Sequence, residues 1–235
     1  MTNTNNGMRI NKWLSESGYC SRRAADRLIS EGMVTIDGRV ADLGDRVRGG
    51  SVVAINGAPV SAQYKKVYIA FNKLAGVVCT SDRSEPNNII DFLGYPERIY
   101  PVGRLDKESR GLILLTNDGD MAYKITRAAA GVEKEYIVTV DKPLTPDFLR
   151  AMAAGVEIMD GKTTMPCVTT MLNAHTFKLT LVQGLNRQVR RMCEGQGYRV
   201  KDLIRVRVAD IKLGTLEPGK WRHLTPEEAR GLNAI

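Results

Sequence analysis

The chain has 235 residues, 43% apolar and 26% charged, which describes an ordinary globular protein large enough for one sizeable domain or two modest ones. No apolar run approaches the roughly 18 residues of a membrane span, residues 1–8 carry no apolar leader core, and a cytoplasmic protein without membrane attachment is expected. Cys20, Cys79, Cys167 and Cys193 form no CxxC pair, and His175 and His223 lie far apart, so neither a metal site nor a disulfide framework is visible. The net charge of +8 and the pI near 9.4 point to a polyanionic partner.

In chain order, Ile10, Trp13 and Leu14 fall at helical spacing, and Gly18 closes that helix. Ser21 caps a second helix that carries Arg22, Arg23 and Arg27 beside the apolar Ala24, Ala25, Leu28 and Ile29, and Gly32 stops it. Strands are predicted over 34–36, after the Asp37-Gly38 turn, and over 52–55. By charge alone, those arginines equally suit a solvated helix face. The run RINKWLSESGYCSRRAADRLISEGMVTIDGRV, with the later GSVVAING, resembles the S4 RNA-binding domain. The resemblance implies an RNA-facing surface of Arg9, Lys12, Ser21, Arg22, Arg23 and Arg27. Such contacts to phosphate position a protein on RNA without reading its sequence.

An S4-like domain is thus expected over 8–57 and a linker over 58–66, where periodicity is lost. A second domain is expected over 67–235. Its predicted strands are 67–72, 112–116, 135–140, 177–182 and 200–213. Predicted helices run from Asp120 to about Ala129, from the Thr145-Pro146 cap to Gly155, after a cap at Asn186, and after a Thr225/Glu228 capping box. The stretch 79–100 reads as a functional loop. The expected fold class is α+β: a small αββ module, then a mixed, largely antiparallel sheet flanked by helices.

Three features of the second domain bear on chemistry. The segment GRLDKESRG sets Asp106 between Arg104 and Lys107, beside a strand that reads as buried. A carboxylate there suits a nucleophile or base, and the same charges equally form a structural ion pair. The helix after Gln183-Gly184-Leu185 places Arg187, Arg190 and Arg191 on one face, and the next strand places Arg199, Lys201, Arg205 and Arg207 on one side. Residues 187–212 hold eight Lys or Arg against three Asp or Glu, a focused charge of +5 that makes a basic groove suited to a nucleic-acid backbone. Tyr136 sits in a strand, where tyrosine usually packs and where it is equally able to stack on an extruded base. No GxxxxGK[ST], GxGxxG or GxSxG motif is present, so an enzyme here is expected to work without a cofactor.

The motifs GRLDKESRGLILLTNDGD, EKEYIVTV, LVQGLNRQVRRMCEGQGY and DLIRVRV, in this order behind an S4-like domain, resemble the RsuA-type family of RNA pseudouridine synthases. LNRQVRRM, RAAAGVEKEYIVTVDKP and the N-terminal run are most similar to its RluF branch, which acts on large-subunit ribosomal RNA. The resemblance implies that Asp106 is the catalytic aspartate, Tyr136 lies over the target uracil, Arg190 pairs with the aspartate, Leu203 lines the uracil pocket, and Arg104 stands where the base leaves its stack. Arg187, Arg191, Arg205 and Arg207 are expected to contact the substrate RNA. Converting uridine to pseudouridine breaks the N1–C1′ bond and joins C5 to C1′ with no redox change, so neither cofactor nor metal is implied. Ribosomal RNA is the expected partner of a monomer. A transfer RNA anticodon loop, a small-subunit RNA site, and a non-catalytic ribosome-assembly factor are the competing readings.

Overall fold

A computed structural model describes residues 7–61, 65–127, 131–159 and 161–234. The chain divides into two compact units, Met1–Lys66 and Val67–Ile235. The expected linker lies partly outside the described residues, at 62–64, as does the end of the helix predicted to reach Ala129.

The first unit contains β1 (Met8–Arg9), α1 (Ile10–Glu16), α2 (Arg22–Ser30), β2 (Val34–Ile36), β3 (Arg39–Val40), β4 (Arg46–Val47), β5 (Val53–Ile55) and β6 (Ala58–Pro59). Ser21 Oγ accepts the Ala24 N–H at 3.1 Å, so the predicted cap forms. Ile10 and Leu14 of α1 and Ala25 and Ile29 of α2 bury against Val34, Val47, Val53 and Ile55. The sheet order is β3-β2-β5-β6, with β1 and β4 paired separately. The β1–β4 pair is too short to show a period in the sequence. Ala58–Pro59, expected to open the linker, instead pairs with β5 as the edge strand of its sheet, a place where proline is tolerated.

The second unit contains β7 (Tyr68–Lys73), α3 (Ile89–Leu93), β8 (Tyr100–Val102), β9 (Arg110–Thr116), α4 (Gly119–Thr126), β10 (Lys134–Val140), α5 (Pro146–Ala154), β11 (Glu157–Met159), β12 (Lys162–Thr163), β13 (Val168–Asn173), β14 (Thr176–Leu181), α6 (Gln188–Gly195), β15 (Val200–Val208), β16 (Ile211–Lys212), β17 (Trp221–His223) and α7 (Pro226–Asn233). Its main sheet runs β13-β14-β10-β15-β9-β7-β17, with β8 on β9 and β16 on β15. Every pairing in it is antiparallel except β15 with β9. The mixed, largely antiparallel sheet is therefore observed.

Period-two alternation sorts the core. Ile69, Phe71, Ile113 and Leu115 pack on one face with α3 and Leu105, while Ala70, Leu112 and Leu114 pack on the other with α4 and α7. A separate cluster joins Val138, Phe177 and Leu179 to Phe148 and Met152 of α5 and to Val189, Met192 and Cys193 of α6. Tyr136 packs against this cluster and against the Ile113–Leu105 cluster alike, where the two halves of one face meet. The seam beneath it is the short parallel pairing of Ile204 and Arg205 with Arg110 and Gly111. Gly111 has φ +99, and a Cβ there would lie 2.3 Å from the Arg205 carbonyl oxygen, so only glycine permits this approach.

Three expectations are corrected. Residues 200–213 are two strands, because Ala209 turns at φ 51 without the glycine or proline that would have announced it. The stretch 79–100 contains α3, capped by Asn88 Oδ1 on the Asp91 N–H at 2.8 Å. β13 escaped notice because its residues are mostly exposed and show no alternation.

Candidate active site

Asp106 lies in the turn between β8 and β9. Its own carbonyl accepts the Ser109 N–H at 3.1 Å, and its side chain is 27% exposed. The turn is held from behind. Lys73 is fully buried, and its Nζ donates to the carbonyls of Leu74 at 2.9 Å, Lys107 at 3.3 Å and Ser109 at 2.7 Å. Burial pulls the Lys73 ammonium below its ordinary value, and the three carbonyls stand in for lost water. Gly76 N–H adds a bond to the Lys107 carbonyl at 2.7 Å, and Cys79 Sγ accepts the Leu105 N–H at 3.4 Å. Burial pushes the Cys79 thiol up, so it stands there as a neutral acceptor.

Arg190 reaches the turn from α6. Its Nη2 donates to Ser109 Oγ at 3.3 Å and its Nη1 to the Val200 carbonyl at 3.4 Å, while Nε lies 3.9 Å from Asp106 Oδ2. That last separation is a charge pair and not a hydrogen bond; the buried Nε has no hydrogen-bond partner. Asp106 is thereby given a counter-charge while its lone pairs stay open to the cleft.

The cleft has a volume of about 580 Å³. Arg104, Asp106, Tyr136, Arg187 and Leu203 line it, together with Gln188. Tyr136 pairs in register with Arg205 across a β-bulge, and Leu203 comes from the same strand, β15. Five residues from four separated parts of the chain are thus brought to one cavity. Of the expected basic groove, Arg199 and Lys201 are exposed and Arg187 lines the cleft, whereas four arginines are engaged elsewhere. Arg190 is buried and faces the Asp106 turn. Arg205 is buried too, its Nε donating to the Leu112 carbonyl at 2.7 Å beside the parallel seam. Arg207 pairs with Glu133 at 2.8 Å and Glu135 at 3.6 Å, and Arg191 donates to Asn186 Oδ1 at 2.8 Å. None of these four arginines lines the cleft.

The expected cap at Asn186 fails for a related reason, since its amide oxygen is taken by Arg191. Arg187 holds the N-cap position in the left-handed region at φ 51 and pairs with Glu108 at 3.0 Å. Gln188, 4% exposed, accepts the Leu185 N–H at 2.9 Å and so organises the entry to α6. Glu108 is held below the usual carboxylate range by its own backbone N–H and by Arg187. Beside the seam, Arg110 grips Asp202 with two bonds, at 2.9 and 2.5 Å.

Sequence reasoning passed over Lys73, Ser109 and Gln188. Lys73 did carry a signal, because it falls on the same face of its strand as Ile69 and Phe71, where a charge is out of place.

In the first unit, Arg9, Arg22, Arg23 and Arg27 are exposed. Lys12 pairs with Glu16 at 3.5 Å, and the Ser21 oxygen serves the helix cap.

The turn after β8 brings Asp106, and the sheet brings Tyr136 and Leu203, to one cleft. The model of the family described as RNA pseudouridylate synthase matches residues 67–195, and that of the S4 domain matches residues 8–53. The chain belongs to the RNA pseudouridylate synthase family and is an RNA pseudouridine synthase with an S4 domain. It is 49% identical over 94% of its length to the dual-specificity RNA pseudouridine synthase RluF of Escherichia coli (strain K12), covering 77% of that protein. It is 36% identical over 97% of its length to the ribosomal large subunit pseudouridine synthase B of Bacillus subtilis (strain 168), covering 96% of it. Among solved structures, a pseudouridylate synthase crystal structure matches with a TM-score of 0.70 at 28% identity, over 96% of this chain and 100% of that one.

Proposed function

We propose that the enzyme isomerises a specific uridine of large-subunit ribosomal RNA, with Asp106 as the catalytic carboxylate. The observation that carries this reading is the convergence of Asp106, Tyr136 and Leu203 on one cleft, with the carboxylate partly open to it. An extruded uridine places its ring between Tyr136 and Leu203. Asp106 then attacks C1′ or removes a proton from C2′. The N1–C1′ bond breaks, the ring turns, and C5 bonds to C1′ as the Asp106–C1′ bond breaks or, on the second route, as the proton returns to C2′; the C5 proton then leaves and N1 gains one. The uptake of the C5 proton is assigned to Tyr136, which lines the cleft. Arg190 supplies the counter-charge behind Asp106, Arg104 meets the phosphate backbone at the mouth, and Arg187, paired with Glu108, stands at the same rim. Residues 8–57 act as the RNA-orienting domain through Arg9, Arg22, Arg23 and Arg27, and residues 67–235 act as the catalytic domain. The protein works as a cytoplasmic monomer; no described helix is long and apolar enough to cross a membrane.

A second RNA substrate is favoured by one observation: the Escherichia coli relative is named for dual specificity. A transfer RNA anticodon arm, which presents a comparable stem-loop, is the candidate tested. The deciding experiment is tritium release from 5-[³H]uridine-labelled large-subunit ribosomal RNA and from transfer RNA, comparing the wild type with Asp106→Asn. Release by the wild type and none by a folded, RNA-binding Asp106→Asn is the expected result. Equal release by both would remove Asp106 from the chemistry.

A further inference from the structure

One wall of the cleft is finished by the last turn of α4, and that turn carries a side chain to which the proposed reaction gives no role. Thr126 lines the cleft, and its Cγ2 lies 3.5 Å from the position of a Cβ on Gly103, the residue before Arg104. Thr126 Oγ1 is fixed by the carbonyls of Ala122 at 2.8 Å and Tyr123 at 3.3 Å. Tyr123 lies three residues earlier on the same helix face, roughly 5–6 Å away between Cβ atoms. Met121 and Ile125 bury the inner face of α4, whereas Tyr123 is 65% exposed, the highest value among the exposed large apolar side chains of the described residues. Its ring is not bare, because the Arg127 guanidinium stands 5.9 Å from its centroid. Residues 123–127 hold Lys124 and Arg127 and no carboxylate.

An exposed aromatic ring backed by a cation presents a free π face to a ligand. Here the local charge is cationic and the neighbouring cavity is the one that receives a nucleotide, which favours a polyanion bearing flat rings over a protein surface. We infer that Tyr123, with Arg127 against its ring and Arg104 at the same rim, is a stacking site for a nucleobase flanking the target uridine. The inference rests on the reading that an RNA uridine enters the cleft. Every base has a π face, so such a site tolerates sequence and contributes binding, while the cations hold the adjoining phosphates.

The test uses large-subunit ribosomal RNA transcript and the full chain. In the Asp106→Asn background, Tyr123→Ala raises Kd roughly tenfold, the loss of one base–aromatic stack, and Tyr123→Phe stays within about twofold. In the active enzyme the same substitutions raise KM in the same proportion, and the melting temperature does not move because the side chain is exposed. Binding by Tyr123→Ala within about twofold of its parent overturns the site, and so does an equal loss in Tyr123→Phe. The Kd arm decides the matter even where the wild type releases no tritium, a result that would refute the proposed reaction on this RNA and leave the stacking site standing. No binding of the transcript at all overturns both.

Discussion

Two arginine-rich helices, α2 and α6, read alike in the sequence and serve opposite ends in the structure. α2 exposes Arg22, Arg23 and Arg27, which make no ion pair among the described residues, and buries only Ala25 and Ile29. α6 turns its central arginine inward, so that Arg190 faces the Asp106 turn while Arg187 and Arg191 are taken up by Glu108 and Asn186. One helix leaves its charge on the surface, and the other turns its central charge inward as framework. Charge patterning alone does not separate the two cases; hydrogen-bond partners contributed from distant segments do.

The contrast is broken most directly at Arg190. Arg190→Ala is expected to lower single-turnover tritium release by on the order of 100-fold, as the charge facing the reaction is lost. It should also cost about 1–3 kcal/mol in urea unfolding, as Ser109 and the Val200 carbonyl lose their donor. The partial exposure of Asp106 keeps the cost at that level. A stable variant with full turnover would end the argument for a framework role. Next comes Arg205→Met, which removes the donor to the Leu112 carbonyl and should cost about 1–2 kcal/mol. The salt dependence of its RNA binding should match the wild type, since a buried guanidinium meets no phosphate. The converse holds for the double variant Arg22→Ala, Arg23→Ala. Its melting temperature should stay put, while the slope of log K against log salt falls by about 1.4–1.8 for two lost phosphate contacts.

The smallest effect is sought at Asp202. Its carboxyl is held below the ordinary 3.8 by the hydrogen bonds from Arg110. A depressed carboxylate stabilises the fold above its unfolded value and ceases to do so as pH falls through the folded one. The gap in melting temperature between wild type and Asp202→Asn should therefore hold from neutral pH down to about 5 and close below about 4. With the Asp202 side chain 34% exposed, the gap should correspond to less than about 1 kcal/mol.

The parts of this architecture that repeat were legible in advance. Runs rich in Val, Ile, Leu, Thr and Tyr gave β7, β9, β10 and β14 to within two residues at either end, and the Ser21, Thr145 and Thr225 caps form where side-chain chemistry placed them. Asp106, Tyr136, Leu203, Arg104 and Arg187 line one cleft. What stayed hidden is what depends on a partner far along the chain. Arg205 looked like one more cation on a basic strand until the Leu112 carbonyl, 93 residues away, supplied its purpose. Lys73 was passed over, because the turn that it holds begins more than thirty residues later. Ala209 bends the chain at positive φ with nothing in its composition to say so.

The mooring of the Asp106 turn has a consequence for when the enzyme exists as an enzyme. Lys73, Cys79 and Arg190 come from well-separated stretches, and each must arrive before the carboxylate is fixed. A chain still lacking α6 has its aspartate but no assembled site. The geometry of this carboxylate thus depends on contacts from β7, from the loop after it and from α6, and not on the turn's own sequence alone.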